Sequence, residues 1–111
     1  FTLGVASMDD QRNVELTLKQ LGIGEHLAFY CGADSGYGLK PGPGMVDAFC
    51  VQTRLKPCEV AVIGDSLHDL NMAAAAGALA IGVLNGASSR HTLSSSADYL
   101  IEDISALGAT C

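Results

Sequence analysis

Short apolar runs alternate along the chain with segments whose apolar residues recur at helical spacing. TLGVAS (2–7) is β-friendly and apolar. DDQRNVELTLKQLG, which follows, sets Val14, Leu18 and Leu21 on one helical stripe that stops at Gly22. LAFYCG (27–32) predicts a second buried strand, and the Gly-rich GADSGYGLKPGPG after it a loop. PGMVDAFCVQTRL (43–55) returns Met45, Val46, Phe49 and Cys50 to helical spacing. EVAVIGD (59–65) predicts a strand, HDLNMAAAAG (68–77) a helix and LAIGVL (79–84) another strand. The Ser-rich NGASSRHTLSSSA is a loop with room for one helical turn, and DYLIEDISALG (98–108) closes with a short strand and a helix turn. There is no internal repeat.

Continuous apolar strands separated by helices imply a parallel sheet covered on both faces. The predicted fold is therefore α/β, a Rossmann-like three-layer sandwich with a mostly parallel sheet, in one domain over residues 1–111. Open parallel sheets present their functional groups at the carboxyl ends of the strands. Ser7, the loop after Cys31, and Asp65 all fall at such ends.

Composition narrows the partners. Hydrophobic residues make up 49% and charged residues 16%, the balance of a globular chain. A formal charge of −6 disfavours nucleic acid and anionic lipid, which need a basic face. No apolar run is long enough to span a bilayer, so no membrane contact is expected. FTLGVAS lacks a Met and shows no signal-peptide pattern, which suggests a cytoplasmic protein whose start has been cut. Cys31, Cys50, Cys58 and Cys111 form no Cys-x-x-Cys pair, and with His26, His68 and His91 they make no zinc spacing. They read as free thiols of a reducing compartment.

An acidic chain that handles an anionic substrate needs local positive charge or a metal. Asp65 ends a strand after Gly64, and Asp69 follows four residues on, which brings two carboxylates to one mouth. Hard oxygen donors facing water suit Mg²⁺, which takes one or two protein carboxylates and keeps its waters. Asp69 alone fits equally well as a helix N-terminal residue favoured by the macrodipole. A carboxylate closing a buried strand, as Asp65 does, needs partners. Lys40 stands before Pro41 in a Gly/Pro-rich loop, held extended, and such a loop can carry an ammonium to a phosphate or leave it solvated. Ser7 precedes Met8, Asp9 and Asp10; its hydroxyl suits a phosphate oxygen or a helix N-cap. Asp9 and Asp10 are adjacent, so their side chains diverge and make a poor nucleophile-and-acid pair. Neither a dinucleotide fingerprint nor a Walker A sequence is present.

Taken together, VASMDD, GLKPGPGMVDAF and VIGDSLHDLNMAAAAGALAIGV resemble the last three of the four signature motifs of the haloacid dehalogenase (HAD) superfamily, nearest its phosphoglycolate-phosphatase-like and sugar-phosphatase branches. The likeness covers essentially the whole chain. It implies that Ser7 and the Met8 amide bind the transferring phosphoryl group and that Lys40 neutralises it. Asp65 would be a direct Mg²⁺ ligand, Asp69 would support the metal through water, and Ser66 would help orient the site. The activity implied is Mg²⁺-dependent hydrolysis of a small phosphorylated metabolite through an aspartyl-phosphate.

The family's nucleophile, an Asp in an Asp-x-Asp pair ending its first strand, has no counterpart here, and neither does its cap. The chain thus looks like the C-terminal portion of a phosphatase core, inactive alone. In the family the missing strand lies between the strands ending at Ser7 and Asp65. The expectation is that this chain closes the gap, borrows a strand by exchange with a partner, or forms a homodimer. Alternatives are a dehalogenase-type hydrolase working without Mg²⁺, and a non-catalytic binding or assembly fragment. A receiver-type signalling module would place its lysine near the C-terminal strands, whereas Lys40 precedes the Gly-Asp.

Overall fold

The structure is a computed structural model and describes residues 1–84 and 90–103. The elements run β1 (Gly4–Ala6), α1 (Gln11–Leu21), β2 (Phe29–Cys31), α2 (Gly44–Thr53), β3 (Ala61–Gly64), α3 (Leu67–Ala76), β4 (Leu79–Val83), α4 (Arg90–Leu93) and β5 (Tyr99–Ile101). Single 3₁₀ turns at Gly24–His26 and Pro57–Glu59 precede β2 and β3. Every predicted strand forms, each shorter than its apolar run. The helix turn expected after Ile101 lies outside the described residues.

All strand pairs are parallel. β1 pairs with β2 from Gly4 opposite Phe29 to Ala6 opposite Cys31. β4 sits between β3 and β5, with Ile63 opposite Ile81 and Gly82 opposite Leu100. The fold is α/β, as the alternation of runs implies. Local chemistry explains the helix boundaries. Asp10 accepts the Asn13 amide at 2.8 Å and caps α1, and Gly22 and Gly77 end α1 and α3 in the left-handed conformation that glycine adopts without penalty.

The core gathers Cys31, Met45, Leu70, Met72, Ala73 and Leu93, each at most 1% exposed. Each large aliphatic side chain buried in it contributes roughly 1.5–3 kcal/mol. α3 packs on β3 and β4, while α2 packs against β1, β2 and α3. Helix packing between α2 and α3 therefore joins the two halves of the molecule.

Strand pairing does not join them. Among the described residues β1–β2 and β3–β4–β5 are separate sheets, and β1 and β3 each pair on one edge only. The expectation that the chain closes this gap on itself is not met by strand pairing: among the described residues β1 and β3 lie in different sheets. Strand borrowing and dimerisation both require a second chain. The reading of β3 as a buried strand is also corrected: Ala61 and Ile63, which share one face of the strand, are exposed, Ile63 by 40%, where β4 is buried from Ala80 to Val83. A second correction concerns α1. Val14 and Leu18 are buried, but Leu21, assigned to the same stripe, is 64% exposed. It lies in the helix's last turn, against Gly22, where the chain has already begun to leave the core.

Candidate phosphate-binding half-site

The loops after β1 and β2 are fastened to each other before either reaches the site. The Ala33 amide donates to the Asp9 carbonyl at 2.7 Å, and the Gln11 amide to Asp34 Oδ1 at 2.7 Å. The Ser35 hydroxyl donates to Gln11 Oε1 at 2.6 Å and accepts the Gly32 amide at 2.9 Å. Gly32 is close enough to Gln11 and Asp9 that a Cβ would overlap their backbone. This stitching sets the Ser7–Met8 segment beside the loop that carries Lys40.

Ser7 follows β1 directly and its amide donates to the Cys31 carbonyl at 3.1 Å, extending the ladder one residue. Its hydroxyl oxygen accepts the Asp9 amide at 3.0 Å, closing a tight turn. The helix cap that Ser7 was a candidate for belongs to Asp10. Asp9 is spent locally, accepting from the Asp10 amide and from Asn13 Nδ2.

Lys40 crosses the gap. Its Nζ donates to the Ala6 carbonyl at 2.9 Å, at the end of β1, and to Asp69 Oδ1 at 2.6 Å, in the first turn of α3. The Lys40 and Asp69 side chains are only 11% and 13% exposed. The Lys40–Pro41 peptide bond is cis. The ammonium thus ties the end of β1 to the first turn of α3, and of its three donors these contacts engage two.

Asp69 is held from three sides. Lys40 takes Oδ1, the Ser66 hydroxyl donates to Oδ2 at 3.1 Å, and the side chain lies directly over Gly64. A Cβ on Gly64 would come within 2.5 Å of Asp69 Oδ2, so only glycine leaves the carboxylate its place. Asp65, one residue beyond Gly64, is exposed to solvent. The expectation of a buried Asp65 needing partners is corrected: that exposure solvates its carboxylate. Burial raises the Cys31 thiol pKa, against the opposing pull of the Lys40 charge and the Ser7 amide. Cys31, Cys50 and Cys58 are all free thiols.

Of the residues singled out in the sequence, the structure brings Lys40 and Asp69 into contact, while Ser7 and Met8 follow the end of β1 and Asp65 follows the end of β3. Lys40 bridges Ala6, next to Ser7 and Met8, to Asp69, four residues from Asp65. Sequence reasoning missed the Ala6 carbonyl as an anchor and Gly64 as a seat for Asp69. The signals for the second were on view: a glycine closing a strand, and a Ser66-x-x-Asp69 spacing of the capping-box kind.

Mg²⁺ is the metal the motifs imply, and the donor set fits it only in part. Asp65 is a solvent-facing hard oxygen donor, which suits an ion that retains its waters. Asp69 has both oxygens engaged by Lys40 and Ser66. Among the described residues, no group of three or more His, Cys, Asp and Glu side chains could hold a metal. One direct carboxylate ligand is what these residues offer.

Parallel α/β proteins carry their ligand sites at the carboxyl ends of the strands, the end where Lys40 meets Asp69. The chain belongs to the haloacid dehalogenase-like hydrolase family, whose model matches residues 1–83 and so includes every site residue above. It is 29% identical over 108 residues to the phosphoglycolate phosphatase of Mannheimia succiniciproducens, covering 96% of this chain and 48% of that protein. With the phosphoglycolate phosphatase of Chromobacterium violaceum it shares 34% over 89 residues, 80% of this chain and 39% of the other. The chain thus spans half or less of the length of these curated relatives. Among solved structures, the HAD phosphatase of Thermococcus onnurineus superposes with a TM-score of 0.83 at 24% identity, over 99% of this chain and 50% of that one. A HAD-superfamily hydrolase of subfamily IA from Geobacter sulfurreducens gives 0.82 at 19% identity, over 99% and 52%. These structural likenesses establish the fold.

Proposed function

We propose that this chain supplies the phosphate- and metal-binding portion of a Mg²⁺-dependent phosphatase that hydrolyses a small phosphomonoester through an aspartyl-phosphate. The observation that carries the reading is the Lys40 ammonium, fixed between the Ala6 carbonyl and Asp69 beside Ser7 and Met8. Two of its donors are committed to the protein, and the remaining one serves an anionic ligand. The Ser7 hydroxyl hydrogen and the Met8 amide are donors suited to phosphoryl oxygens. Held in place beforehand, such donors stabilise equatorial charge as it spreads in the transition state. Asp65 would hold Mg²⁺, which when bound adds positive charge against the same phosphoryl oxygens.

The chemistry needs an attacking carboxylate. Its oxygen bonds to phosphorus as the P–O ester bond breaks and the leaving oxygen takes a proton from solvent to become the alcohol. Water then attacks the acyl phosphate, giving free phosphate, the regenerated carboxylate and a proton returned to solvent. No Asp-x-Asp pair ends a strand in these 111 residues, so they bind and polarise but do not attack. Phosphoglycolate, named in the curated relatives, belongs to the substrate class this reading selects.

The test is Mg²⁺-dependent phosphate release from an aryl phosphate by the purified 111-residue chain, with Asp65→Asn alongside, and ³¹P NMR titration with inorganic phosphate. The expected result is no turnover, with phosphate binding weakened about 10- to 100-fold by Lys40→Met, the loss of one charge-assisted hydrogen bond of roughly 1.5–3 kcal/mol. Turnover abolished by Asp65→Asn would place the nucleophile within these residues, Asp9 first. Phosphate binding indifferent to Lys40 would refute the half-site.

A further inference from the structure

Ser66 occupies the N-cap of α3, the position serine favours for reasons of helix stability alone. Its geometry points elsewhere. The hydroxyl lies 3.5 Å from the Asp69 amide it nominally caps, the outer limit of a hydrogen bond, but 3.1 Å from Asp69 Oδ2, to which it donates. We infer that Ser66 is a positioning residue for Lys40: its hydroxyl hydrogen pins Oδ2, which turns Oδ1 toward the ammonium and so sets where the lysine's charge is delivered.

The physical case rests on the carboxylate's freedom. An aspartate side chain turns broadly about its last torsion unless both oxygens are engaged. Here Gly64 leaves room beneath the carboxylate, Ser66 holds one oxygen and Lys40 the other. Remove the serine donor and the Lys40 contact alone must orient the group. The ammonium then gains a wider range of positions about the Ala6 carbonyl. This inference rests on the reading of Lys40 as the phosphate-binding cation, but its test does not depend on that reading.

The experiment observes the lysine side-chain ¹⁵Nζ signals of the 111-residue chain by NMR. A buried, hydrogen-bonded ammonium exchanges its protons slowly enough to give a resolved signal. Lys40 is assigned as the signal lost in Lys40→Met. Ser66→Gly removes the hydroxyl while costing the cap only a few tenths of a kcal/mol; Ser66→Thr restores a hydroxyl at the same place. The expected result is a resolved Lys40 signal in wild type and Ser66→Thr that is lost, or exchanges at least several-fold faster, in a folded Ser66→Gly. A Lys40 signal unchanged in Ser66→Gly, or unprotected in wild type, overturns the inference. Inorganic phosphate is titrated in parallel. If it leaves the wild-type Lys40 signal unmoved while Ser66→Gly still abolishes protection, the phosphate reading fails and the positioning role stands.

Discussion

Replacing Lys40 by Met tests the contact on which the site depends. The substitution keeps an unbranched apolar stem and deletes the ammonium, leaving Asp69 Oδ1 and the Ala6 carbonyl without their donor. The pair is close, 2.6 Å between Nζ and Oδ1, and both side chains are about nine-tenths covered. Removing one partner of a fully buried ion pair costs about 3–5 kcal/mol, because the other charge stays buried and unpaired. Asp69 keeps its Ser66 hydrogen bond here, so the low end applies, about 3 kcal/mol. For a chain of this size that lowers Tm by roughly 12 °C, at about 4 °C per kcal/mol. The assay is urea unfolding followed by far-ultraviolet circular dichroism for wild type, Lys40→Met, Asp69→Asn and the double variant. If the two groups act as one unit, the double variant loses less than the sum of the singles by about 1–3 kcal/mol. Additivity within about 0.5 kcal/mol would show that the pair is not energetically coupled and would refute this reasoning.

Two further outcomes follow from the same geometry. Gly64→Ala drives a methyl group into the Asp69 carboxylate, so it should cost about 1–3 kcal/mol in urea unfolding and weaken inorganic phosphate binding together, where an overpacked site remote from Lys40 would cost stability alone. Burial raises the pKa of Cys31 and of Cys50, so each folded thiol keeps a proton that the unfolded chain releases above about pH 8.5. The stability these neutral thiols contribute is complete below that pH and falls as pH climbs toward their raised folded values. Urea midpoints at pH 7.5 and 9.5 should therefore diverge, and Cys31→Ala should narrow the difference; an unchanged difference would mean other groups govern the alkaline loss.

The order of elements was legible in the amino acids because strand and helix periodicity are local properties. Helix boundaries at Asp10, Gly22 and Gly77 follow from caps that two or three residues specify. The candidate site residues stood out for a related reason: Gly64-Asp65 with Asp69, and Lys40 before a proline, are patterns within a few residues of one another. What the sequence could not decide is which partner each group finds. Lys40 and Asp69 are 29 residues apart, one in the loop before α2 and the other in α3, and only the tertiary fold brings them to 2.6 Å. The exposure of Ile63, and of Asp65 beside it, is likewise a property of the assembled fold. An apolar strand is the same string of residues whether or not a neighbour lies against its edge. Among the described residues β3 pairs on one edge only, with β4, and that pairing is set by how the whole chain packs rather than by the strand's own residues.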